Sequence, residues 1–330
     1  MGQDQALVHI IRGDLVESVH RGHAVICDGA GNVLEAWGAP ETVIFPRSSC
    51  KMIQALPLLE TGAGRALSDR HLALACASHS GGQVHTNLAA QWLADLGLAE
   101  GDLRCGPQWP DDLAARDGLI RAQARPCQVH NNCSGKHCGF LMLGQQIGGG
   151  PDYVAVDHPV QRLVRQTFEE VTDAESPGFS IDGCAAPNFA TPLAALAGAM
   201  GRFARARVGG TVRHNAMARL VRAMATHPLL VAGEGRACTD LMRATDGRAV
   251  VKTGAEAVYV GILPELDRGV AVKISDGSTR AAEAVIAALL VRLGVLERQA
   301  PVVTRLCHGP IRNRREMVTG RMQVLIDTPA

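Results

Sequence analysis

Aromatic residues are scarce in this sequence, with three Trp, two Tyr and six Phe among 330 residues. Lysine is scarcer than composition alone would suggest, because only Lys51, Lys136, Lys252 and Lys273 stand against 29 arginines. Net charge is nearly absent at +1 and the arginines are scattered, which removes the electrostatic signature of a nucleic-acid or anionic-membrane partner. No window approaches 18 uninterrupted apolar residues, so a spanning helix is not expected. The segment MGQDQALVHIIRGDLVES has no basic stretch leading into an apolar run, so no secretory signal is expected and the chain reads as cytoplasmic. Internal repeats, low-complexity tracts and linkers are also missing. Gly148–Pro151 is the most loop-like stretch and is too short to part independent domains.

What is present fits a compact α/β or α+β protein. Nearly half the residues are hydrophobic (47%), glycine is abundant (36 residues), and disorder is excluded. The length is sufficient to bury a large core as one domain or two interleaved lobes. Ten cysteines in a chain of this length, with no expected signal, read as reduced thiols, some buried and a few available to metal.

Residues 6–38 read as strands, with Ala24–Cys27 and Val33–Trp37 joined by the turn-forming Asp28-Gly29-Ala30-Gly31. Pro46 closes this segment, and Ser48–Leu59 reads as a helix ending at Gly62. Ser68-Asp69 would cap a helix to Ala77, and another covers Asn87–Leu96. Val160, Leu163, Val164, Phe168 and Val171 recur at helical spacing from Asp157 onward. Further helices fit 191–199 and 215–226. Ala249–Ile262 and Gly269–Ile274 read as a hairpin around Pro264–Arg268, followed by a helix over Thr279–Leu293, stopped by Gly294, and a last strand over Arg321–Ile326. The order is strands, a helical middle, strands, and a C-terminal helix. The fold class expected is therefore α+β: an antiparallel sheet from both chain ends (about 1–45 and 245–330) with a helical region of about 46–244 between.

Chemistry enters with Ser48-Ser49-Cys50-Lys51, an S-x-x-K. At a helix start, positions i and i+3 share a face, so Lys51 Nζ can approach Ser48 Oγ, and the helix N-terminus favours developing negative charge. Lysine, unlike arginine, can give up its proton and act as a base. Lys252-Thr253-Gly254 on a predicted strand is a K-T-G, the edge-strand element that accompanies S-x-x-K in serine acyl-transfer enzymes. By chance this composition would give about 0.1 S-x-x-K and about 0.02 K-T-G, so the ordered pair is informative. The plain alternative is a helix-capping serine and a surface lysine. Ser80, in Ser78-His79-Ser80-Gly81-Gly82, reads on its own as a turn residue. Spacing alone would propose Cys133, His137 and Cys138 as metal ligands, with a fourth from elsewhere, against the alternative of incidental buried cysteines. None of the twelve histidines has a base-like partner in sequence, which leaves Cys–His and Ser–His mechanisms without support.

The segments IFPRSSCKMIQALPLLETG (44–62), ACASHSGGQVH (75–85), NNCSGKHCGF (131–140) and SIDGCAAPNFA (180–190) resemble those of the rhizobial-type, or class 3, L-asparaginases. The resemblance runs through nearly the whole chain to Asn313–Gly320. It implies the fold of serine β-lactamases, penicillin-binding proteins and glutaminases. It implies two Ser–Lys pairs, Ser48 with Lys51 and Ser80 with Lys252, and a zinc ion held by Cys133, Lys136 and Cys184. Arg47, Asp182 and Cys238 match further residues at the site. Lys252 rather than Lys273 is the second lysine, because its 14-residue distance from Cys238 fits the family. Cys27, Cys76, Cys105 and Cys307 are left as structural.

The expected activity is hydrolysis of the side-chain amide of L-asparagine to L-aspartate and ammonia. Either Ser48 or Ser80 could attack. Zinc is expected to position substrate rather than generate the nucleophile, and Asp182 and Arg47 are candidates to hold its α-amino and α-carboxylate groups. A homodimer is what the resemblance implies. Two other readings stand beside this one. A glutaminase or penicillin-binding enzyme shares both motifs, although the S-D-N element is missing. A non-catalytic zinc-binding module would use the serines only as helix caps.

Overall fold

The computed structural model describes residues 3–327. Two compact units emerge from the packing. One comprises the residues up to Ser49, Thr191–Arg205 and the residues from Asp240 onward; the other comprises Cys50–Ala190 and Ala206–Thr239. Among the described residues, no helix is long and apolar enough to cross a membrane.

The first unit is built on an antiparallel eight-stranded sheet that draws strands from both ends of the chain, the α+β arrangement expected. Its order runs Pro310–Arg312, Val318–Val324, Gln5–Arg12, Leu15–Asp28, Arg268–Ile274, Val258–Leu263 and Val250–Gly254, with Val33–Trp37 added beside Leu15–Asp28. The Asp28–Asn32 turn closes as expected, through Gly31 N–H to Asp28 O at 3.0 Å.

Helices cover both faces. Gly269 is so close to helix Leu193–Arg205 that a side chain there would land on the backbone of Ala197 and Gly201. Gly261, opposite the next residue Val270, faces Ile286 of helix Thr279–Arg292. Successive residues point to opposite faces, so the two helices lie on opposite sides of the sheet. This explains why Val258–Leu263 is buried at every position instead of alternating.

Two readings of this unit need correction. Ala249–Ile262 is not one strand. It breaks between Gly254 and Val258, where Glu256 and Ala257 both take positive φ (57° each), so three strands form where two were expected. The helix near 191 begins at Leu193, because Thr191–Pro192 pairs with Val43–Ile44.

The second unit is helical, with Asp69–Ala75, Gln83–Asp95, Ser134–Gln146, Pro159–Thr172 and Val212–Thr226 as its main helices. Pro159–Thr172 follows its expected stripe. Val160, Val164, Phe168 and Val171 are buried, Pro159 occupies the first turn, and the His158 ring accepts from Val160 N–H at 3.1 Å. The helix expected over Ser48–Leu59 is instead three short pieces: a 3₁₀ turn Arg47–Cys50, then Lys51–Gln54, then Leu56–Glu60. Pro57 is the cause, since it has no N–H to continue the ladder and its ring clashes with the preceding turn. A one-turn helix carries little macrodipole, so the contribution expected from it at Ser48 is small.

Candidate active site

In the sheet unit, Ser48 sits in the 3₁₀ turn Arg47–Cys50, and Arg47 before it has φ 53°. A non-glycine residue in that region is strained and is held there by its surroundings. Ser49 fixes the turn by donating Oγ–H to Pro46 O at 2.7 Å. The K-T-G strand Val250–Gly254 is the sheet edge beside Val258–Leu263, with Lys252 opposite Val260. Its last residue packs directly on the serine turn. A Cβ at Gly254 would stand 2.6 Å from Pro46 O and 3.0 Å from Ser49 N, so only glycine fits without a shift. Lys252 is buried, 1% exposed, and its Nζ donates to Thr253 O at 2.7 Å. Arg47, Ser48 and Lys252 thus belong to one packed edge of this unit.

In the helical unit, Lys51 is also 1% exposed. Its Nζ donates to Ala77 O and lies 3.1 Å from both Ser78 Oγ and Cys133 Sγ. A buried lysine nitrogen is costly unless it has polar partners, and these three groups supply them. Ser78 and its link to Cys133 were not foreseen; the only signal was the serine-rich Ser78-His79-Ser80 run.

Ser80 is buried in Ser78–Gly82, which is an irregular stretch and not the turn its sequence suggested. Its N–H donates to Ala232 O and its carbonyl accepts from Asp112 N–H, each at 2.9 Å. Gly233, with φ 118°, lies against it so closely that a side chain would overlap Ser80 Oγ. Thr239 holds Gly233 in turn, donating Oγ1–H to Gly233 O at 2.7 Å, and Cys238 beside Thr239 is buried.

Cys133 immediately precedes helix Ser134–Gln146, which carries Lys136, while Asp182 and Cys184 share the turn of the hairpin Phe179–Ile181/Pro187–Phe189. Ala185 closes that turn with φ 66°, Asp182 N–H donates to Ala186 O at 2.9 Å, and the Asp182 carboxylate accepts from Gly183 N–H at 2.7 Å. Lys136 Nζ lies 3.0 Å from Cys184 Sγ. A hydrogen bond from Cys133, aided by Lys136, holds Cys184 well below the usual thiol range, and the same bond together with burial pushes Cys133 well above it. Burial alone would lower the Lys136 ammonium, but the charges of Cys184 and Cys133 outweigh it and hold the group above its usual value.

Two sulfurs and one amine therefore converge in a nook where all three residues are at most 5% exposed. Among the described residues, no group of three His, Cys, Asp or Glu side chains gathers for a metal. The Cys133–Lys136–Cys184 donor set still suits a thiophilic cation, provided Lys136 releases its proton.

The set suggested by spacing does not assemble. Cys138 Sγ points to Ala89 O at 3.7 Å, and burial pushes its thiol up. His137 Nδ1 is occupied by Tyr153 OH at 2.8 Å. Tyr153 OH also accepts from Arg104 N–H, at 2.8 Å. Burial lowers His137 to about 4. The four cysteines read as structural are all buried, and burial pushes Cys27, Cys105 and Cys307 up to about 12.

S-x-x-K and K-T-G are motifs that occur together in β-lactamases and penicillin-binding proteins. The chain belongs to the L-asparaginase II family, whose profile matches residues 8–324, and this places it among the hydrolases. No curated protein sequence matches it. Solved structures similar to it include a β-lactamase from Mycobacterium bovis, 14% identical, with a TM-score of 0.41 over 82% of this chain and 93% of that one. A chain described as a β-lactamase from Bacteroides dorei is 11% identical, with a TM-score of 0.42 over 77% and 84%. An octameric penicillin-binding protein homologue from Pyrococcus abyssi is 12% identical, with a TM-score of 0.35 over 86% and 76%.

Proposed function

We propose that this protein hydrolyses the side-chain amide of L-asparagine to L-aspartate and ammonia. The observation that carries the reading is the contact of Gly254, in the K-T-G strand, with the turn that presents Ser48, in a chain whose family is that of L-asparaginase II. Ser48 Oγ attacks the amide carbon while Lys51 Nζ takes its proton. The tetrahedral species collapses, the C–N bond breaks, and ammonia departs with a proton returned to nitrogen. Water then attacks the acyl ester, gives the carboxylate and restores Ser48–OH. Backbone N–H groups in the serine turn and beside the K-T-G strand stabilise the oxyanion. Ser80 and Lys252 form the second pair and deliver the proton to the leaving nitrogen. Asp182 and Arg47 hold the substrate's charged α-groups, with Cys238 beside them.

Cys133, Lys136 and Cys184 hold a zinc ion in this reading. When bound, zinc supplies an electrophilic position that orients substrate or water. The protein acts as a homodimer.

The test is ammonia release from L-asparagine and L-glutamine by wild type and Ser48→Ala. Turnover of asparagine, lost in the variant, supports the reading. Turnover of glutamine alone moves the substrate to glutamine. A Ser48→Ala variant as active as wild type removes Ser48 as nucleophile.

A further inference from the structure

His79 stands between the two serines of the Ser78-His79-Ser80 segment and is 1% exposed. Its ring nitrogens are both engaged, and the partners fix the tautomer. Gly81 N–H, which can only donate, points to Nδ1 at 3.1 Å. Nδ1 is therefore bare, the ring hydrogen sits on Nε2, and Nε2–H donates to Ser134 Oγ at 2.9 Å. The backbone repeats the connection, since His79 N–H donates to Asn132 O at 3.2 Å. Ser134 is fully buried at the start of the helix that carries Lys136, one residue after Cys133. On its open face the ring stacks on His85, with centroids 4.7 Å apart and planes within 7°. His85 is anchored by Nε2–H to Leu229 O at 2.9 Å.

We infer that His79 is a positioning residue for Ser80. Its imidazole brackets Ser80 by accepting the Gly81 amide, and it ties that segment to the Cys133–Lys136 segment through Ser134. The inference rests on the proposed role of Ser80 in proton delivery. Among the described residues, Ser80 meets the Ala232 carbonyl, the Asp112 amide and the Gly233 backbone, and its neighbour Gly81 is capped by His79. The cap is made by a side chain, so it can be altered by substitution without rebuilding the backbone. The geometry also separates the two halves of the strut. Asparagine places an amide oxygen where Nδ1 stands and can keep the Gly81 contact. Glutamine reaches the Nε2 position and can keep Ser134 while leaving Gly81 N–H without its acceptor.

The experiment compares wild type, His79→Asn, His79→Gln and His79→Ala in ammonia release from asparagine, with hydrogen exchange of the Gly81 amide and thermal unfolding measured alongside. The expected result is that Asn stays within about threefold of wild-type kcat, while Gln and Ala lose about 10- to 100-fold in kcat with KM moved less than about twofold. Gly81 amide protection should follow the same order. If Ala does not fold, the Asn–Gln pair decides. Asn no better than Gln in kcat, or Gly81 protection unchanged in Gln, overturns the inference. An active wild type with this outcome leaves the asparaginase reading standing. A wild type that releases no ammonia removes that reading and the positioning claim with it.

Discussion

Replacing Gly254 by alanine tests whether the K-T-G strand sets the position of Ser48. The added Cβ would stand 2.6 Å from Pro46 O and 3.0 Å from Ser49 N, both backbone atoms of the serine turn. Neither can rotate away as a side chain could. Ordinary carbon contacts begin near 3.4 Å, so strand and turn must part by roughly 0.8 Å at the oxygen. Overpacking of this kind costs about 1–3 kcal/mol of stability. Its effect on turnover is of similar size, because misplacing a reacting group by about 1 Å costs about 10²-fold, or about 2.7 kcal/mol. The expected result for Gly254→Ala is a 10- to 100-fold fall in ammonia release from asparagine, with Tm lowered by a few degrees. Gly118→Ala is the control: nothing lies within 4 Å of that position in helix Leu113–Arg121, so activity should hold and the helix should gain about 0.5–1 kcal/mol. A Gly254→Ala enzyme with at least half the wild-type kcat/KM would refute the idea that this contact positions the nucleophile.

Gly233→Ala combines a φ of 118° with a side chain placed on Ser80 Oγ, so it should lose about 1–3 kcal/mol and most activity; normal turnover would separate Ser80 from the reaction. Acid should destabilise the fold through His85, whose pKa burial lowers, with the Leu229 carbonyl offsetting only part of that. The folded form resists the proton that the unfolded chain accepts, so stability present at neutral pH is lost as pH falls below about 6.5, by up to about 1.4 kcal/mol per unit. Urea midpoints at pH 7 and 5.5 should differ less in His85→Gln than in wild type, and equal differences would remove His85 as the cause. Stripping metal with a strong chelator should raise KM for asparagine more than it lowers kcat, with recovery on adding zinc; an unchanged KM would deny zinc its positioning role.

The sheet was legible because its signals are local. The Asp28–Gly31 turn and the apolar runs on either side each announce themselves within a few residues, as does the stop of the following helix at Gly294. The S-x-x-K and K-T-G motifs also stood out, since both are short and lysine is rare. Other features depend on distant partners and left no such trace. The pairing of Thr191–Pro192 with Val43–Ile44 joins segments nearly half the chain apart. Pro57 was visible, yet the helical pattern from Ser48 to Leu59 outweighed it. The metal set guessed from spacing took the nearest thiol and imidazole, Cys138 and His137. In the fold one turns to Ala89 and the other is claimed by Tyr153, while Lys136 faces a cysteine 48 residues away. His79 gave no signal at all, because its role depends on Gly81 two residues on and Ser134 far beyond.

The shortage of aromatic residues bears on how the site is made. With few large rings to space elements apart, backbones approach one another directly, and the tightest approaches occur where glycine stands. Helix Leu193–Arg205 meets the sheet at Gly201 and Gly269, and helix Ser134–Gln146 meets the Leu74 carbonyl at Gly135. The Ser48 turn uses the same device at Gly254, while Gly233 lies against the Ser80 side chain itself. Backbone-on-backbone contact has no rotamers with which to absorb error, so it fixes hydroxyl positions more tightly than side-chain packing of the same area could. Tolerance to substitution should accordingly be lower at these glycines than at the large aliphatic residues around them. At the latter, a swap such as Leu→Met conserves volume and costs less than about 1.5 kcal/mol.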